Sequence, residues 1–143
     1  MRYTQTLLYK EFYQMKNTEF AVLAEDRVAA YLKRKGFYIA KRNYKCRYGE
    51  IDIIAEDKDT VAFVEVKART GDYLVSPAEA VDRHKQRRII ATAKDYYAKS
   101  HCYLKPRFDV AMVTAFKNED DKWQFELEYL KNAFCLEKGN GAF

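Results

Sequence analysis

Cysteine, histidine, proline and glycine are all scarce in this 143-residue chain, with three, two, two and five copies. Cys46, Cys102 and Cys135 are odd in number, far apart and form no C-x-x-C, which excludes a disulfide framework and a zinc ribbon. Reduced thiols in a cytoplasmic protein are the expectation. His84 and His101 have no zinc-ligand spacing. No nucleophile–base pairing can be built on them, so Ser/His/Asp and Cys/His hydrolase chemistry is unsupported. No linker rich in Pro, Gly or Ser divides the chain, and no repeat or low-complexity tract is present. No uncharged apolar run approaches the ~18–20 residues of a membrane-spanning helix, so no membrane partner is expected. The opening MRYTQTLLYKEFYQMKN lacks a long apolar stretch followed by a small-residue cleavage site, so no secretory signal is expected.

What is present suffices for one core. Hydrophobic residues make up 48% and aromatics 15%, which excludes wholesale disorder, and the length is that of one domain. The expected organisation is an N-terminal extension over 1–17, helical or loosely attached, a single domain over 18–135, and a tail over 136–143. The net charge of +5 permits a polyanionic partner without demanding one. Its distribution says more. Seven basic residues and no acid lie between Tyr31 and Arg47, among them Lys41, Arg42 and Arg47. Six more lie between Arg83 and Lys99, opposed only by Asp95, and include Lys85, Arg87 and Arg88. Between Lys117 and Glu128 the sign reverses, with five acids against two lysines. The pattern predicts a polarised surface, although solvated helix faces would produce it too.

Hydrophobic periodicity predicts a helix from Thr18 to Lys35, capped by Thr18 and stopped by Gly36. Phe20, Ala21, Val22, Ala24, Val28, Ala29, Tyr31 and Leu32 share its apolar arc. Glu25 falls inside that arc, and a carboxylate there needs a partner, because desolvating it alone is costly. A neighbouring Lys or Arg is one candidate. Strands are predicted over Phe37–Arg42, Glu50–Ala55 and Val61–Arg69, the last two forming an antiparallel hairpin across the turn EDKDT. Ser76-Pro77-Ala78-Glu79 has the form of a capping box, and Asp82 is a second candidate cap for a helix over Arg83–Lys99. Its apolar stripe is Ile89, Ile90, Ala93, Tyr96 and Tyr97. Strands over Arg107–Thr114 and Trp123–Tyr129 complete the order α-β-β-β-α-β-β. That order predicts an α/β (α+β) fold, a mixed sheet flanked by helices.

The chemistry is concentrated in the hairpin. Face parity places Glu50, Asp52 and Ile54 together on one strand, and Phe63, Glu65 and Lys67 together on the next. A two-residue turn at Lys58-Asp59 sets Asp52 directly opposite Glu65, with Cβ atoms only ~4.5–5.5 Å apart. Two carboxylates that close are tolerable in the interior when they share a proton or a cation. Oxygen ligands from two acids suit Mg²⁺ or Mn²⁺, which leave room for waters and phosphate oxygens. A lysine alongside can orient an attacking water or stabilise charge on phosphorus. Asp52…Glu65-x-Lys67 therefore fits phosphodiester hydrolysis, although Glu-x-Lys on a solvent-facing strand is commonplace.

The segments LAEDRVAAYLKRKGF, GEIDIIAED, VAFVEVKART, PAEAVDRHKQRRI and RFDVAMV resemble the YraN family of small bacterial proteins, within the PD-(D/E)xK restriction-endonuclease-like superfamily. The resemblance runs from about Glu19 to Phe134 and is similar to that of Holliday-junction-resolving endonucleases. It implies a restriction-endonuclease-like fold and an active site of Glu25, Asp52, Glu65 and Lys67. Asp52, Glu65 and Glu25 would be the metal ligands. It also implies that Gln86 lies beside the active site. The superfamily's proline has no counterpart here, since Ile51 precedes Asp52. The expected function is metal-dependent DNA hydrolysis, on branched or repair intermediates. Lys41, Arg42, Arg47, Lys85, Gln86, Arg87 and Arg88 would contact nucleic acid, without a base-reading element. A homodimer is expected by analogy with resolvases. The alternatives are a non-catalytic nucleic-acid-binding module, or an interaction protein of a recombination or DNA-uptake complex docked through the acidic C-terminal strand.

Overall fold

A computed structural model describes residues 2–7, 17–71, 77 and 79–135. In chain order the elements are β1 (Arg2–Leu7), α1 (Asn17–Arg34), β2 (Tyr38–Cys46), β3 (Gly49–Glu56), β4 (Thr60–Thr70), α2 (Arg83–Ser100), β5 (Lys105–Lys117) and β6 (Trp123–Phe134). The strands form one six-stranded sheet ordered β1-β6-β5-β4-β3-β2. Only β4 and β5 run parallel, because α2 carries the chain back between them; the other neighbours are antiparallel. From α1 onward the order is the predicted α-β-β-β-α-β-β.

Two differences from the sequence reading have physical causes. Arg2–Leu7 is a strand rather than a helix or loose segment, running antiparallel to β6 with Arg2 opposite Glu128 and Leu7 opposite Trp123. It pairs backbone groups that β6 would otherwise present as an open edge. β2 continues to Cys46, well past Arg42. Edge strands accept Lys and Arg freely, so the basic run hid the strand from a reading that sought apolar residues.

Helix α1 buries Phe20, Ala24, Val28, Tyr31 and Leu32 on the sheet, but Ala21 and Val22 face outward, so its contact face is narrower than the predicted arc. Its end is fixed by Phe37 N–H donating to Leu32 C=O and Gly36 N–H to Lys33 C=O, both at 3.0 Å. This pattern needs the left-handed backbone that Gly36 adopts at φ 91°. Of the two candidate caps for α2, Asp82 serves, accepting from Lys85 N–H at 2.8 Å. Ser76 and Ala78 lie outside the described residues.

The sheet separates two apolar layers. On the α1 side pack Ile53, Ala55, Ala62, Val64, Val113, Phe125, Leu127 and Tyr129. On the α2 side pack Ile51, Ile54, Val61, Phe63, Ile89, Phe108 and Val110. β3 and β4 are thus apolar on both faces, each large side chain contributing about 1.5–3 kcal/mol by its burial. This double layer makes the hairpin a rigid mount for the few charges it carries. A buried polar knot pins the far side. Asp109, fully buried, accepts from the Arg107 guanidinium, from Tyr129 Oη and from Asn132 N–H at 2.5–3.1 Å.

Candidate active site

The β3–β4 turn sets the register of the hairpin. Asp57 accepts the N–H groups of Asp59 (2.9 Å) and Thr60 (2.7 Å), and its own N–H donates to Thr60 C=O. This tight turn pairs Glu56 with Val61 and Ile53 with Val64. The last pair of this ladder is Ile53 with Val64; just beyond it Val66 N–H donates to Asp52, which brings that carboxyl beside Glu65. Alternation is broken at one residue: Ile51 joins the α2 layer, whereas Ile53 belongs to the α1 layer. This end of β3 turns towards α2 while still paired with β2, and Asp52 lies just past the last β3–β4 pair.

Glu65 is 6% exposed, at the point where the apolar hairpin gives way to charge. Its carboxyl is pushed up to about 7, first by burial and then by the negative charge of Asp52. The Asp52 and Glu65 carboxyls interact directly, and both are raised above the ordinary carboxylate range. Asp52 is also raised by burial, while Val66 N–H donates to its Oδ2 at 2.8 Å and opposes that rise. Two ammonium groups approach a single oxygen of the pair. Lys67 Nζ lies 3.6 Å and Lys85 Nζ 3.7 Å from Glu65 Oε1. One lysine comes from the same strand and the other from the first turn of α2.

Glu25 approaches from α1. Its carboxyl is raised by burial and by the charge of Asp52, against the lowering effects of Asn43 and Arg42. Asn43 Nδ2 donates to Glu25 Oε2 over 3.5 Å, and Arg42 Nη2 is 3.7 Å from the same oxygen. The basic partner that a carboxylate in the arc requires is therefore Arg42, which also bonds Asp26 at 2.8 Å. Asn43 has a left-handed backbone (φ 52°), which asparagine tolerates better than most residues. A cavity of about 630 Å³ opens beside Glu25 and Lys67, walled by Phe20, Val66, Arg69 and Met112.

A model of the family described as "Uncharacterised protein family UPF0102" matches residues 24–113, which include every residue of this cluster. The chain belongs to the UPF0102 family. A UPF0102 protein of Caldanaerobacter subterraneus subsp. tengcongensis is 40% identical over 113 residues, covering 78% of this chain and 91% of that protein. Another, of Dictyoglomus thermophilum, is 42% identical and aligned over its whole length, 84% of this chain. A third, of Syntrophus aciditrophicus, is 41% identical over 90% of this chain and 98% of its own.

In this UPF0102 protein the predicted nucleic-acid contacts divide by position. Lys41, Arg47 and Arg87 are exposed. Arg42 is engaged with the α1 acids, and Lys85 is drawn into the carboxylate site. Arg88 donates through Nε to Tyr48 C=O at 3.3 Å. Gln86 is turned to the preceding loop, its Nε2 donating to Val81 C=O at 2.9 Å. Sequence reasoning missed Asn43, and it read Lys85 as a phosphate grip rather than a neighbour of Glu65. The signal for Lys85 was its position three residues after the Asp82 cap, in the first turn of α2.

Residues fit for a divalent ion are the two carboxylates. Among the described residues no group of three or more His, Cys, Asp and Glu forms a closed cage. Mg²⁺ does not need one, since it binds through one or two carboxylates and keeps several waters. The oxygen-only pair, held in mutual repulsion and balanced by lysines, is the chemistry such an ion would relieve. Among the described residues no helix is long and apolar enough to cross a membrane.

Proposed function

We propose that this UPF0102 protein is a metal-dependent nuclease of the PD-(D/E)xK type that hydrolyses DNA phosphodiester bonds. The observation that carries this reading is the pairing of half-buried Asp52 with buried Glu65, with Lys67 and Lys85 both directed at Glu65 Oε1. A structural ion pair would need one lysine and one acid. Two mutually repelling acids at the edge of an apolar sheet are costly to the fold and are a recurrent feature of functional sites.

Asp52 and Glu65 would hold Mg²⁺ or Mn²⁺, with Glu25 at the margin of the site. The bound ion would supply Lewis acidity towards a phosphoryl oxygen and lower the pKa of water. The protein's own groups do the rest. Val66 N–H fixes the orientation of Asp52. Lys67 is about one-third exposed and donates hydrogen bonds to an attacking water or to the charge that builds on phosphorus. Lys85, from the first turn of α2, balances the pair and would meet a second phosphate oxygen. Arg47, Lys41 and Arg87 hold the backbone on either side through contacts that carry no sequence information.

The test is cleavage of single-stranded, duplex, flapped and four-way-junction DNA by purified protein, with Mg²⁺ or Mn²⁺ and with chelator. Metal-dependent cutting of at least one substrate is expected. Binding without cutting of any substrate would favour a non-catalytic nucleic-acid-binding module.

A further inference from the structure

The tip joining β2 to β3, Arg47-Tyr48-Gly49, is built rather than slack. Gly49 has φ 148°, and a Cβ there would meet Thr92 Oγ1 at 3.4 Å and Arg88 Nε at 3.5 Å, so the tip lies against α2 at close range. Arg88 Nε holds it by the Tyr48 carbonyl. The Arg47 guanidinium stacks over the Tyr48 ring, 4.7 Å from its centroid, and hydrogen-bonds its hydroxyl. Tyr48 is nonetheless 40% exposed, one of four large hydrophobic residues that are exposed among the described residues. The acids nearby are already engaged: Glu50 with Lys45 (3.8 Å), and Asp95 with Tyr44 (2.6 Å) and Lys99 (3.1 Å). An aromatic ring, oriented by one arginine and fixed to a helix by another, is thus presented in a positive surrounding. Asp52 is four residues further along the chain, roughly 13 Å away at strand spacing.

We infer that Tyr48 is a stacking platform for an unpaired nucleobase, and that the substrate is single-stranded DNA or a DNA junction with an unpaired stretch next to the cut. The inference rests on the nuclease reading and names its substrate class. An aromatic side chain stacks on a base only when that base is free of its neighbour, and every base has such a face, so the platform selects strand structure without selecting sequence. Arg47 and Arg88 then neutralise the flanking phosphates, which a paired duplex would present without the base. The element supplies a distinction between unpaired and paired DNA that the phosphate contacts alone lack.

The test is binding in chelator, where no cutting is required. A 5′-labelled oligo-dT and a blunt duplex of equal length are titrated with wild type, Tyr48→Ala and Tyr48→Phe, read by fluorescence anisotropy. Tyr48→Ala should weaken oligo-dT binding roughly tenfold, as expected of one lost base–aromatic stack. Duplex affinity should change less than twofold, and Tyr48→Phe should bind as wild type. Thermal melts of both variants exclude a folding defect, and Tyr48→Phe preserves the test should the alanine variant melt early. Equal losses on both probes, no loss on oligo-dT, or no binding of oligo-dT by wild type would overturn the inference. A failed cleavage panel with the Tyr48 effect intact would instead remove the nuclease reading and leave the platform standing.

Discussion

Glutamine at position 65 is the most informative single change. Glu65 is raised from 4.5 to about 7 in the folded protein. The native state therefore holds a proton that the unfolded chain releases between those values. Stability from this group is fully present below pH 4.5 and is lost as pH rises through about 7. At 1.36 kcal/mol per unit, the difference across that window is about 3 kcal/mol. Glu65→Gln keeps the shape and has an N–H that can donate to Asp52 at any pH. The variant should match wild type near pH 4.5 and exceed it by about 3 kcal/mol at pH 8, in chelator. In a thermal melt that is roughly 9 °C, at about 3 °C per kcal/mol for a chain of this size. Urea titrations followed by Trp123 fluorescence at four pH values between 4.5 and 8 provide the free energies. Saturating Mg²⁺ at pH 8 should raise wild type towards the variant and leave the variant nearly unmoved. A constant offset between the two proteins at every pH would refute the argument that mutual repulsion and burial hold the proton on Glu65.

Other expectations concern different parts of the molecule. Asp52→Asn should lose most of the stabilisation by divalent metal, which for wild type is about 2.7 kcal/mol at a hundred times Kd; equal melting shifts in both proteins would count against Asp52 as a ligand. Asp109→Asn should destabilise by about 3–5 kcal/mol in urea, because it leaves the Arg107 guanidinium half-buried without its charge partner. Neutralising Lys41 and Arg87, both exposed, should weaken binding of any DNA alike and reduce the slope of log K against log salt by up to ~0.9 for each lost phosphate contact. An unchanged slope would mean that these residues only solvate the surface.

Much of this architecture was legible in the sequence because local and global signals agreed. The β3–β4 register followed from a polar EDKDT turn between two apolar runs, and it holds as far as Ile53 and Val64, the residues next to Asp52 and Glu65. The cap of α2, the burial of Ile89, Ala93 and Tyr96, and the single-faced packing of Trp123, Phe125, Leu127 and Tyr129 followed from periodicity. What was not legible depends on three-dimensional neighbours. β1 is stabilised by an edge of β6 more than a hundred residues away, which no local pattern announces. Arg42 reads as a phosphate ligand until α1 brings Asp26 to within 2.8 Å of it. Lys85 reads as one of several helix cations until the sheet places Glu65 beside it. Ile51 breaks the alternation because the β2–β3 tip is seated on α2, through contacts that involve a glycine with no side chain to signal them.

The central claim is that the Asp52–Glu65 pair and Lys67 form a phosphodiester-hydrolysing centre. Its most direct test compares wild type with Lys67→Ala on the best-cut substrate of the panel, measuring single-turnover cleavage with Mn²⁺ and DNA affinity in chelator on the same preparations. Lys67 acts on charge that develops during reaction, so cleavage should fall by at least two orders of magnitude while Kd changes less than threefold. Cleavage at the wild-type rate by Lys67→Ala would contradict the account.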